Sequence, residues 1–186
     1  MAVTIEATAG AANANSFVTE AEFIAHLATR LNAHSGATVT GSTCSEDEKK
    51  ALVESFRWFN TLAWLGTRTT AAQAGAWPRE DALNPDAPNV LNISDLDELY
   101  FEDDELPARV RRGQMELAVE FLKAGTTDIG ALPANSGVIE KTVDVLTTRW
   151  ADPYYQKTGL ARFPRVLDEI GPLLSATAGT LDVVRC

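Results

Sequence analysis

A chain of 186 residues, 45% of them hydrophobic, is long enough to close one core but would leave two domains small. Its net charge of −10, from 26 acids against 16 bases, argues against a protein that grips a phosphate backbone, since that affinity comes mainly from Lys and Arg displacing counterions. There is no apolar run of the ~18 residues a membrane span needs, no basic-then-apolar start like a signal peptide in MAVTIEATAG, and no CxxC around Cys44 or Cys186, so we expect a soluble protein made in a cytoplasm, with free thiols and no membrane partner.

Residues 7–16 (ATAGAANANS) are small and polar and read as an extended or mobile leader. Thr19 and Glu22 then form a Thr-x-x-Glu capping box that opens a helix. Its apolar face is Phe23, Ile24, Leu27 and Leu31, and its solvent face Glu22, His26 and Arg30. After a loop at 32–43, Ser45 and Glu48 make a second capping box, and the helix they start is expected to run to Leu65, where Gly66 stops it. Leu52, Phe56, Phe59 and Ala63 form its apolar stripe, widened by Val53, Trp58, Leu62 and Leu65. Trp58 and Phe59 are expected core anchors. In QAGAWPRED, Trp77 should fold back on this helix as a third anchor, Pro78 should hold Trp77 extended, and Arg79 should point outward to Glu80, Asp81 or a neighbouring subunit.

From Glu80 to Leu106 helical spacing is lost, and seven acids fall between Asp95 and Glu105 without a base: an exposed loop, with room for a short helical turn at 94–100. Pro107 suits the first turn of a third helix, which points Val110, Leu117, Ala118, Phe121 and Leu122 inward and closes near Lys123 and Gly125. Residues 138–150 (VIEKTVDVLTTRW) are β-branched and partly alternating, the pattern of a strand or hairpin. Val166, Leu167, Ile170, Leu173 and Leu174 make a short amphipathic helix that Pro172 cuts, and the tail SATAGTLDVVRC has no evident core partner in the chain. The expected fold is mainly α: a small bundle of three to four helices with a short β segment or hairpin and an extended C-terminal tail. It is read as a single domain over 1–186, with the helical core at about 17–125 and the β-like segment, last helix and tail at 138–186.

Chemistry is hard to find. His26 and His34 lack the HExxH arrangement, and no GxSxG, GxGxxG or GxxxxGK[ST] occurs. The acids between Asp95 and Glu105 lack the EF-hand pattern and read as a solvated loop. No catalytic, cofactor or metal residues are therefore expected, and the chain is not read as an enzyme. Arg109, Arg111 and Arg112 cluster at the start of the third helix, as an ion-pair network across loop and helix or as contacts for a partner or for nucleic acid.

In order along the chain, Ala-Asn-Ser-Phe-Val, TEAEFIAHLATR, SEDEKKALVESFRWFNTLAWLGTR, QAGAWPRED, Leu-Pro-Ala-Arg-Val and the β-like segment before Pro-Leu-Leu resemble small tailed-phage proteins, the head-to-tail adaptors or head-completion connectors. Some of these are labelled DnaT-like single-stranded DNA-binding proteins. The resemblance runs from Asn15 to Leu174 and is most specific at Gln73 to Arg79. The loop between Glu80 and Leu106 is longer and more acidic than the family form, and the tail after Leu174 is individual. The resemblance implies a homo-oligomeric ring, typically of twelve copies, in the virion neck. There it would join the portal protein to the downstream neck or tail completion protein, with genomic DNA passing unbound through the lumen. Arg79, Arg109, Arg111, Arg112 and, in the tail, Leu181, Val183, Val184 and Arg185 are the expected interface residues. The other reading is a single-stranded DNA-binding replication accessory protein.

Overall fold

The computed structural model describes residues 2–31, 33–87, 99–126, 140–143, 146–149 and 159–175. Among them are four helices: α1 (Glu20–Ala28), α2 (Glu46–Phe59), α3 (Ala108–Ala124) and α4 (Pro164–Ile170). Both capping boxes form, the Thr19 hydroxyl accepting from the Glu22 amide at 3.2 Å while the Glu22 carboxylate accepts the Thr19 amide at 2.8 Å, and Ser45 and Glu48 repeating the exchange. Pro107 is the N-cap of α3, one position before the helix proper, and Gly125 closes α3 in the left-handed conformation at φ 66°.

α3 lies against both α2 and α4. Phe23 and Leu27 of α1, Leu52 and Phe59 of α2, Val110, Leu117 and Phe121 of α3, and Val166 and Ile170 of α4 are buried together. The close approach of the helices rests on Gly113, where an added Cβ would sit 2.6 Å from Ile170 Cγ2 and 3.3 Å from Phe59 Cζ. Expected core positions on α3 and α4 are met, Leu122, Leu167 and Leu174 being half-buried. α4 ends at Ile170 and continues as a 3-10 turn, Gly171–Leu173, so Pro172 does cut the helix.

Two boundaries differ from expectation. α1 stops at Ala28, where Thr29 caps it, and Leu31 is left 92% exposed instead of packed. α2 stops at Phe59 rather than Leu65, because the Asn60 side chain engages the returning chain: its Oδ1 accepts the Ala76 amide at 2.6 Å and its Nδ2 donates to Ala74 O at 3.1 Å. Trp64 Nε1 also donates to Phe59 O, at 2.8 Å, and Ala63 is exposed. The leader, expected to be extended or mobile, is tied down by hydrogen bonds: Glu6 O accepts the amides of Asn15 and Ser16, the Val3 amide reaches Glu46, and the Ala74 amide donates to Ala11 O at 3.1 Å.

The short strands β1 (Thr67–Arg68) and β2 (Arg79–Glu80) pair antiparallel and close the loop that carries Trp77. Isolated bridges join Leu83 to Tyr100 and Trp64 to Leu174. The segment expected to be a strand or hairpin contains two antiparallel strands, β3 (Glu140–Val143) and β4 (Leu146–Arg149), paired from Glu140 opposite Arg149 to Val143 opposite Leu146. The tail from 176 and residues 88–98, with the first three acids of the acidic run, lie outside the described residues.

A buried polar residue joins leader and helices. Gln114 has no exposed surface; its Oε1 accepts the Phe17 amide at 2.8 Å, and its Nε2 donates to Ser16 Oγ at 3.2 Å and Leu52 O at 2.9 Å. Gln114→Leu keeps the volume but strands a buried amide, and should lower the free energy of unfolding by about 1–3 kcal/mol, read as a shifted urea midpoint at unchanged slope.

Candidate functional site

The stretch from Gln73 to Arg79 is assembled from its own polar groups. Gln73, buried, accepts the Thr70 amide at Oε1 and donates from Nε2 to Gly75 O and Pro78 O, each at 3.0 Å. Trp77 is 1% exposed and meets Trp64 and Phe101 edge to face at centroid distances of 5.8 and 5.7 Å, geometry that adds about 0.5–1.5 kcal/mol per pair beyond burial. Phe59 is buried as expected, and Trp58 is half-buried against Phe59 and Phe163. The Trp77–Pro78 bond is cis.

Arg79 is where the expected geometry fails. Its guanidinium does not reach Glu80 or Asp81 but donates to three backbone carbonyls: Nε to Leu65 O at 2.6 Å, Nη1 to Ala76 O at 3.0 Å, and Nη2 to Gly66 O. Burial, and secondarily the Arg68 charge, hold its pKa below the ordinary value. The fork clamps the end of the α2 loop to the Trp-Pro segment, where Gly66 adopts φ 69° with its Cα facing Glu80 O too closely for any Cβ.

The arginines of α3 are each engaged, and among the described residues their partners are not Glu102 to Glu105. Arg109 makes a two-pronged pair with Asp86, at 2.6 and 2.5 Å, and this bonding chiefly holds the Asp86 carboxyl below its usual range. Arg111 reaches Glu22 at 3.0 Å and Arg112 reaches Glu169 at 3.0 Å. One helix is thus tied to a loop, to α1 and to α4. Glu102, Asp103, Asp104 and Glu105 are exposed. Leu181, Val183, Val184 and Arg185 lie outside the described residues.

Two histidine–carboxylate pairs were not expected. His34 Nε2 lies 3.0 Å from the buried Glu48, which also accepts the Thr38 amide at 2.8 Å. Burial raises the Glu48 pKa, yet hydrogen bonds from Thr38 and Ser45 outweigh it and leave the carboxyl below its ordinary value. His26, expected beside Glu22 in solvent, instead faces Glu116 of α3 at 3.5 Å, while Arg30 pairs with the same carboxylate. Burial, then the Arg30 charge, push His26 down to about 4, and Arg30 Nε donating to its Nε2 suits the neutral ring. A shallow cleft of about 480 Å³ lies beside the leader, its Glu6 and Glu20 already accepting from Thr8 and Cys44. Among the described residues no group of three or more His, Cys, Asp or Glu is placed to hold a metal, and no helix is long and apolar enough to cross a membrane.

A family model described as "Putative DnaT-like ssDNA binding protein" matches residues 1–186. The chain belongs to that family. No curated protein and no solved structure matches it. The stretch from Gln73 to Arg79 is in this chain a structural knot, held by the buried Gln73 and the half-buried Arg79 side chains bonded to backbone.

Arg79→Ala should therefore destabilise the fold, by about 1–3 kcal/mol for carbonyls left without donors, and Arg79→Lys should restore only part of the loss in thermal melts. A second outcome concerns acid. His26 folded titrates near 4 while its unfolded value is about 6.5, so its contribution is complete above pH ~6.5 and is lost as pH falls toward 4. His26→Gln should flatten that part of the stability–pH curve, measured by urea midpoints at successive pH values.

Proposed function

We propose that this protein is a structural component of a tailed-phage virion, a head-to-tail adaptor that docks as an oligomeric ring on the portal protein. In this reading it connects capsid to neck or tail and acts by assembly without catalysis. The observation that carries the reading over DNA binding is where the cations and aromatics are. Single-strand binders expose aromatic platforms beside free cations. Here Phe17, Phe56, Phe59, Trp64, Trp77 and Phe101 are buried, and Arg79, Arg109, Arg111 and Arg112 bond within the chain.

Two further features favour assembly. A net charge of −10 with exposed carboxylates from Glu102 to Glu105 suits a conduit that DNA passes without adhering. Among the described residues the β3–β4 pair forms a sheet of two strands, an arrangement marginal by itself in water and one that a neighbouring chain can extend. The family description favours the second reading, a single-stranded DNA-binding replication accessory protein.

Two measurements separate them. Mixed with the portal ring encoded by the same genome, the protein should add in cyclic stoichiometry by native mass spectrometry, and removal of the last twelve residues, 175–186, should weaken docking while helical circular dichroism is retained. Titrated with a fluorescent single-stranded oligonucleotide, it should bind weakly at physiological salt. Tight binding with a steep salt dependence, and no addition to the portal, would sink the adaptor reading in favour of the replication one.

A further inference from the structure

Chain segments 82–84 and 99–101 run antiparallel. The Asn84 amide donates to Leu99 O at 2.8 Å and the Phe101 amide to Ala82 O at 3.0 Å, the two bonds that bracket a non-hydrogen-bonded pair, Leu83 opposite Tyr100. Opposed Cα atoms at such a pair are about 4.5 Å apart, so the two side chains stand side by side on one face. Strand alternation divides the residues cleanly: Ala82 and Phe101 are turned into the core, where Phe101 meets Trp77, while Leu83 is 47% and Tyr100 42% exposed. A lone exposed leucine needs no explanation; an opposed leucine and tyrosine on the outer face of a ribbon make a patch that folding does not require.

The surroundings of the patch are acidic. Asp81 precedes it, Glu102, Asp103, Asp104 and Glu105 follow it, and all five are exposed. Two nearby cations are taken up elsewhere: Arg109 is held by Asp86 and Arg79 by three carbonyls. Such a rim repels a nucleic acid, and it repels a second copy of a chain whose net charge is −10.

We propose that the outer face of this ribbon, centred on Leu83 and Tyr100, docks a positively charged protein segment that brings one apolar side chain onto the pair and Lys or Arg onto the carboxylates around it. The Tyr100 ring offers such a cation a second contact through its face. The surface holds whether or not the protein is an adaptor, because it is defined by the partner's chemistry.

The test uses the full-length protein and three nine-residue peptides: lysine alternating with leucine, lysine with serine, and glutamate with leucine. The lysine–leucine peptide should bind saturably in low salt and shift amide resonances confined to 81–86 and 99–105. A Leu83→Ser/Tyr100→Ser double variant should fold with an unchanged melting curve, since both side chains are exposed, and bind this peptide about ten-fold more weakly. Equal binding of the lysine–serine peptide reduces the effect to charge alone, and equal binding of the glutamate–leucine peptide removes the role of the acidic rim. Unchanged affinity in the double variant, or shifts elsewhere on the protein, would equally overturn the proposal.

Discussion

The side-chain amide of Gln114 holds three separated stretches of the chain in one place. It meets the leader at Ser16 and Phe17, α2 at Leu52, and belongs to α3 itself. A carboxamide in a dry interior costs free energy unless its donors and acceptor are used, so the residue admits few arrangements of its neighbours. With Gln114 bonded, Phe17 is delivered onto Phe56 and Phe59, at centroid distances of 4.7 and 6.2 Å, and the aromatic cluster grows from there through Trp64 and Trp77 to Phe101. Apolar burial supplies the drive; the amide selects which packing is adopted.

Helix starts were legible because their chemistry is local. Thr19 with Glu22 and Ser45 with Glu48 meet across one turn whatever the rest of the chain does. Helix ends were less so. The spacing of Leu62 and Leu65 continues the α2 stripe, and only the chain returning at Ala74 and Ala76, fourteen and sixteen residues on, gives Asn60 the partners that end the helix. Gln114 carried a readable signal: it lies between Val110 and Leu117 on the face that buries Val110, Leu117 and Phe121, where a polar side chain must find partners. Arg79 carried none, since its acceptors are backbone carbonyls that one composition can place anywhere.

The charge pattern has an inside and an outside. Arg111 and Arg112 use acids of α1 and α4, and Arg30 uses Glu116, so the cations near the helices act as ties between elements. Acids in excess of these ties accumulate on the segment leading into α3. A strongly acidic chain still packs its helices closely because the seams are matched by ion pairs while exposed carboxylates such as Glu102 to Glu105 face solvent.

The leader described above also has a mechanical meaning. It is fastened near the start of α2 through Val3 and Glu46, doubles back where Glu6 O takes two amides, and reaches the far loop at Ala11 and Ala74. α2 itself is 14 residues, about 21 Å of helix. A pull on the first residues is shared among bonds at both ends of that helix and resisted together, whereas a leader held at one point would peel one bond at a time.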